Sequence, residues 1–151
     1  MKKKKLVSLV TVSLMGSLLF SGIASAAQAG FSWWPTLREG STGGYVSGLQ
    51  ANLWAFGQQP YTAIDGSFGS GTKTGVMNFQ RYAGVTADGV AGSSTWNRFD
   101  YYSFYSTDKH WYLDSPQSST YWTFYDANGT RVSYEVLYKS NNARVKFGYV
   151  N

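Results

Sequence analysis

The sequence predicts an α+β protein: a small three-helix unit followed by a small antiparallel β meander. Three observations carry that expectation. Apolar residues recur at helical spacing between residues 30 and 99. The pattern D-G-x-x-G-x-x-T occurs twice in that stretch, 23 residues apart. From residue 100 onward, aromatic and β-branched residues alternate with polar ones.

The first 29 residues have a different character. Lys2 to Lys5 form a positive cluster, Leu6 to Ile23 an apolar run, and Ala24-Ser25-Ala26-Ala27-Gln28-Ala29 a stretch of small residues. That order describes a secretory signal peptide, with cleavage after Ala26 or Ala29 fitting equally. The expected protein is therefore exported, and no other segment is apolar enough to span a bilayer. Four of the 13 Lys and Arg lie in the leader, leaving nine against eight Asp and Glu, a net charge of about +1. So small an excess gives no footing for nucleic-acid binding by phosphate neutralisation. The chain has no cysteine, so its stability outside the cell rests on packing rather than disulfides.

The first predicted helix carries Val46, Leu49, Leu53 and Phe56 on one face, and Gly57 is its expected stop. Each copy of the repeat then opens another helix. Asp65-Gly66 and Asp88-Gly89 are expected tight turns. Ser70 and Ser93 are expected N-caps. The second helix is expected from about Gly71 to Tyr82, with Val76, Phe79 and Ala83 inward. The third is expected from Ser93 to Phe99, with Trp96 and Phe99 inward. Trp54, Phe68, Phe79 and Trp96 are the expected large core residues.

Composition changes near Phe99-Asp100. Residues 100 to 151 hold 14 of the 27 aromatic residues. Runs around Trp122, Val132 to Tyr138, and Val145 to Tyr149 have the period of half-buried strands, and a fourth strand is expected near Tyr101 to Tyr105. Asp126-Ala127-Asn128-Gly129 signals a hairpin, and Ser140-Asn141-Asn142 a second turn. The expected divisions are 1-29 as leader, 30-99 as helical domain and 100-151 as β module.

The run Trp34-Pro35-Thr36-Leu37-Arg38-Glu39-Gly40-Ser41-Thr42-Gly43-Gly44-Tyr45-Val46, continuing to Leu49-Gln50 and Leu53, resembles the opening of the type 1, three-helix bacterial peptidoglycan-binding domain. A middle motif stands as Asp65, Gly66, Phe68, Gly69, Thr72, Val76, Phe79 and Gln80. A closing motif stands as Asp88, Gly89, Gly92, Thr95 and Trp96. The sequence departs from the pattern in a slightly long loop, Gln58 to Ile64, and in Gly75 inside a helix. The resemblance implies a wall-associated protein whose partner is peptidoglycan, through its glycan or its stem peptide. Residues 100 to 151 resemble no family.

Most motif residues serve turns and core. The side chains with suitable chemistry and expected exposure for carbohydrate or muropeptide contact are Tyr61, Gln80, Arg81, Tyr82, Asn97 and Arg98. Arg81 suits a stem-peptide carboxylate. No catalytic set, cofactor or metal site is expected. His110 is the only histidine, which excludes a His-rich zinc site. A carboxylate pair drawn from Asp108, Asp114, Asp126 and Glu135 has too little surrounding chain for a glycosidase cleft. The aromatic strands are either core, or a face such as Tyr121, Thr123 and Tyr125 that stacks on sugars or a protein partner. The expected function is non-catalytic wall binding. The alternatives are a small wall hydrolase or accessory acting through the β module, and a secreted antagonist, bacteriocin-like or a hydrolase inhibitor.

Overall fold

The structure, a computed structural model, describes residues 30–105, 110–113, 119–125 and 131–150. Among these residues lie three α-helices and five strands. The helices are α1 (Gly44–Ala55), α2 (Ser70–Tyr82) and α3 (Ser93–Tyr101), and short 3₁₀ turns occupy Phe31–Trp33 and Tyr61–Ala63. The strands are β1 (Ser103–Tyr105), β2 (His110–Leu113), β3 (Ser119–Tyr125), β4 (Arg131–Leu137) and β5 (Arg144–Tyr149). The leader and the Asp126 to Gly129 turn lie outside the described residues.

α1 buries the predicted face, Val46, Leu49, Leu53 and Phe56. It closes as a Schellman motif: Gly57, at φ 68°, donates to Trp54 O, and Gln58 to Leu53 O. The sequence indicated one buried face, but α1 is enclosed on two. Gly44, Gly48, Ala51 and Ala55 fall at helical spacing on the opposite side. A Cβ at Gly44 would collide with the backbone of Tyr149 and Val150. One at Gly48 would lie 2.7 Å from Trp34 and 2.8 Å from Val150 Cγ1. The sheet approaches α1 this closely because those positions are small.

α2 and α3 begin one residue earlier than capping serines would place them. Gly69 and Gly92 are the cap residues, and Ser70 and Ser93 are already helical. Lys73 N–H donates to Gly69 O and Trp96 N–H to Gly92 O, so extended backbone at a glycine, not a serine hydroxyl, starts each helix. Gly75, which costs about 1 kcal/mol of helix propensity, lets α1 and α2 meet. A Cβ there would stand 3.2 Å from Leu53 Cδ1. The long loop folds onto the helices, with Ile64 buried and Gln59 Nε2 donating to Gln50 O at 3.0 Å.

The strands form one antiparallel meander in the order β1-β2-β3-β4-β5. The period-two signal found β3, β4 and β5 and placed a strand close to β1. It missed β2, which at four residues is too short for its alternation to stand out. The helical and β regions share one core. Leu113, Tyr134, Val136 and Val150 cluster with Leu49, Phe68, Phe79 and Trp96. The compositional break at Phe99-Asp100 falls inside α3, whose Asp100 carboxylate accepts from the N–H groups of Phe31 and Ser32. Trp54 is only half-buried, with its ring 5.7 Å from that of Tyr138 beyond β4. No helix among the described residues is long and apolar enough to cross a membrane.

Candidate functional site

The twin motifs build two near-identical clasps, each centred on a glutamine. Gln50 sits in α1 and Gln80 in α2, both 1% exposed. The Gln50 amide oxygen accepts from the N–H of Asp65 and of Gly66, at 3.0 and 2.8 Å. Its amide nitrogen donates to Asp65 Oδ1, Ser67 O and Thr72 Oγ1, at 2.9, 3.0 and 3.0 Å. Gln80 repeats the arrangement. Its oxygen accepts from Gly89 N–H at 2.9 Å, and its nitrogen donates to Asp88 Oδ1, Val90 O and Thr95 Oγ1 at 2.7, 3.0 and 3.0 Å. The turn glycines take positive φ, 78° at Gly66 and 75° at Gly89, which explains a glycine in both copies.

Both aspartates remain at the surface and reach inward only with Oδ1. The N–H of Ser67 and the Gln50 amide hold Asp65 below its ordinary value, and Val90 N–H and the Gln80 amide do the same for Asp88. The clasps are tied to the N-terminal segment. Leu37 and Ala91 exchange backbone hydrogen bonds, and Thr42 bridges Ser67. Phe68, Thr72, Thr95 and Trp96 are buried, and Trp96 Nε1 donates to Pro35 O at 3.0 Å.

The contact candidates are placed differently from one another. Gln80 is not a surface residue: the inner face of α2 carries it, and its amide is committed to the clasp. The sequence held the signal, because a Leu-Gln and a Phe-Gln pair precede the two Asp-Gly turns. Arg81 and Asn97 are exposed, with Arg81 donating to Asn78 Oδ1 at 3.0 Å. Tyr61 is exposed on its own 3₁₀ turn after α1.

Tyr82 and Arg98 come together at the ends of α2 and α3 through residues the sequence did not single out. The Tyr82 ring lies 5.8 Å from Tyr102, Tyr102 lies 5.1 Å from Tyr101, and the Arg98 guanidinium lies 6.0 Å from the Tyr101 ring centre. Burial, with Tyr82 and Tyr101 beside it, raises the Tyr102 phenol above its ordinary value, so it stays neutral. A cation beside several phenols offers stacking area and charge-assisted hydrogen bonds to a ligand carboxylate.

Among the described residues, no three His, Cys, Asp or Glu side chains converge to hold a metal ion. Asp108, Asp114 and Asp126 lie outside the described residues, and Glu135 pairs with Arg144 at 2.7 Å. His110 is the register partner of Thr123.

Comparison with known proteins locates the helical region. Residues 42–99 match the family model described as "Putative peptidoglycan binding domain". A "Zinc D-Ala-D-Ala carboxypeptidase" of Streptomyces albus G is 44% identical over 69 residues, covering 45% of this chain and 27% of the enzyme. A "Probable N-acetylmuramoyl-L-alanine amidase" of Bacillus licheniformis is 39% identical over 85 residues, covering 55% of this chain and 24% of the enzyme. An uncharacterized protein of Kitasatospora aureofaciens is 34% identical over 77 residues, covering 51% of this chain and 65% of that protein. The chain thus spans a small part of either enzyme, and no family matches its C-terminal region. In their helices, their ordered motifs and that match, residues 42–99 of the chain are similar to the type 1 peptidoglycan-binding domain family.

Proposed function

We propose that the protein is exported and binds peptidoglycan without cleaving it. One observation carries this reading: residues 42–99, which build the doubly clasped helical scaffold, match a family described by peptidoglycan binding, and the chain is similar over about a quarter of their length to two enzymes whose names concern D-Ala-D-Ala and N-acetylmuramoyl-L-alanine. Both names denote fragments of peptidoglycan, so a common wall-binding scaffold accounts for the likeness. The leader at residues 1–29 supports export, because its charge, apolar run and small residues stand in the order a secretory signal requires.

The contact surface of this reading is the Tyr82, Arg98 and Tyr101 cluster, with Arg81, Asn97 and Tyr61 as further contacts. Arg98 or Arg81 meets a stem-peptide carboxylate, and the phenols cover its apolar side chains. The test is co-sedimentation of the purified protein with insoluble peptidoglycan at low salt, followed by analysis of the supernatant for released muropeptides. Protein in the pellet and no muropeptides is the expected outcome. Protein left in the supernatant overturns wall binding, and released muropeptides overturn the non-catalytic role in favour of a small wall hydrolase.

A further inference from the structure

The strand register sets five residues in one row across the sheet: Phe104, Tyr112, Tyr121, Glu135 and Phe147 are successive cross-strand partners. The neighbouring pair Ser133, itself buried, and Tyr149 continues the same face. This face is turned away from α1, because the alternate set, Leu113, Tyr134, Val136 and Val150, enters the core. β5 makes the contrast plain. Gly148 lies under the Tyr134 ring, where a Cβ would meet the phenol at 2.6 Å, while Phe147 and Tyr149 are 41% and 45% exposed. Phe104, on the far edge strand, is 53% exposed. The large aromatics of β5 therefore take the solvent side.

We propose that this outer sheet face is a second binding surface, and that its occupant is the peptide-free sugar backbone of the wall. The aromatic rings are ordered against one another. Phe104 and Tyr112 stack with centroids 5.5 Å apart and planes 14° from parallel, and Phe147 meets Tyr149 edge-on at 5.1 Å. At one end of the row Arg144 pairs with Glu135 at 2.7 Å and holds its guanidinium 5.9 Å from the Phe147 ring centre.

Such a surface combines apolar area with hydroxyl and paired-charge hydrogen-bonding groups, which suits the C–H faces and hydroxyls of pyranose rings. The ion pair described on it, Arg144 with Glu135, adds no net charge to the face. Five strands at about 4.8 Å spacing give a row about 19 Å long, and a β-1,4-linked chain advances by a closely similar step per sugar. A polymer is the fitting occupant for a second reason, which rests on the wall binding proposed above. The sheet is fixed to α1 through a shared core, so two surfaces on one rigid body engage one repeating polymer together, and the second contact forms at high effective concentration.

The test uses the purified full chain and β-1,4-linked N-acetylglucosamine oligomers, which carry sugar backbone and no stem peptide. Titration followed by amide chemical shifts is expected to perturb Phe104, Tyr112, Phe147 and Tyr149. Shifts confined to residues 42–99, or none, overturn the proposal. The combined variant Phe104→Ser, Phe147→Ser, Tyr149→Ser changes exposed positions and is expected to keep its unfolding temperature. Its affinity for the oligomers should fall at least about tenfold, the loss expected when aromatic stacking contacts are removed. Unchanged oligomer affinity overturns the proposal. So does sedimentation showing a dimer that the variant disrupts and the oligomers do not, because the occupant is then a second copy of the chain. Oligomer shifts on the sheet, with binding to intact peptidoglycan unchanged when Tyr82 and Arg98 are replaced by serine, count against the wall binding of the helical domain and leave this surface standing.

Discussion

Gln50 and Gln80 do the same task at two places: a buried amide closes a turn onto the start of a helix. Each links an Asp carboxylate, a turn carbonyl and a threonine hydroxyl. The carboxylates make the clasps sensitive to acid, and the direction follows from their shifts. Asp65 and Asp88 are held below 3.8 by donated hydrogen bonds. A carboxyl depressed in the folded state contributes stability that is whole above its unfolded value and is lost as pH falls through its folded one. Asp100 has the opposite sign, because burial raises it and the cost of its charge is relieved as pH falls. The clasps therefore lose stability below about pH 4, while Asp100 works in the opposite direction. The double variant Asp65→Asn, Asp88→Asn keeps an oxygen acceptor and removes the titration. Its unfolding temperature, followed by circular dichroism, is expected to be lower than wild type near neutrality and to change less with acid. An acid slope equal to that of wild type would place the sensitivity elsewhere.

Helices were legible in the sequence where large apolar residues mark a period, as at Val46, Leu49, Leu53 and Phe56 in α1 or Val76 and Phe79 in α2. The second buried face of α1 was not legible, because glycine and alanine carry almost no hydrophobic signal even when fully enclosed. The candidate site divided on the same principle. Arg81 and Asn97 are exposed as their polarity suggests, whereas polarity alone misplaced Gln80, which is buried because the clasp satisfies its amide. Two glycine replacements separate packing from propensity within single elements. Gly71, in the first turn of α2, has open space where a Cβ would go, so Gly71→Ala is expected to stabilise by up to about 1 kcal/mol. Gly48→Ala gains the same propensity but drives a Cβ against Trp34 and Val150, so it is expected to destabilise, with overpacking costs of about 1–3 kcal/mol. Urea unfolding of both variants measures the two values. A neutral or stabilising Gly48→Ala would mean that the sheet does not press on α1 as closely as the geometry requires.

Composition divides the molecule in two at residue 99, while packing makes it one. α3 runs through the compositional boundary to Tyr101, β1 follows at Ser103, and the core extends from Phe31 to Val150 without a break. The C-terminal strands thus join Trp34 in covering the small-residue face of α1, and Val150 lies against Gly48. Tyr134 adds a polar tie, since its phenol hydrogen-bonds Ser47. Separate domains would unfold separately, because each would keep its own core. A shared core couples the loss of either half to exposure of the other, and small units of this kind unfold all-or-none. Scanning calorimetry of the protein is therefore expected to give one transition, with calorimetric and van't Hoff enthalpies equal. Two resolved transitions, or a calorimetric enthalpy well above the van't Hoff value, would show that the sheet and helices are thermodynamically independent. In that case the enclosure of α1 would contribute nothing to stability, and the two surfaces proposed for the wall would no longer be held rigidly to one another.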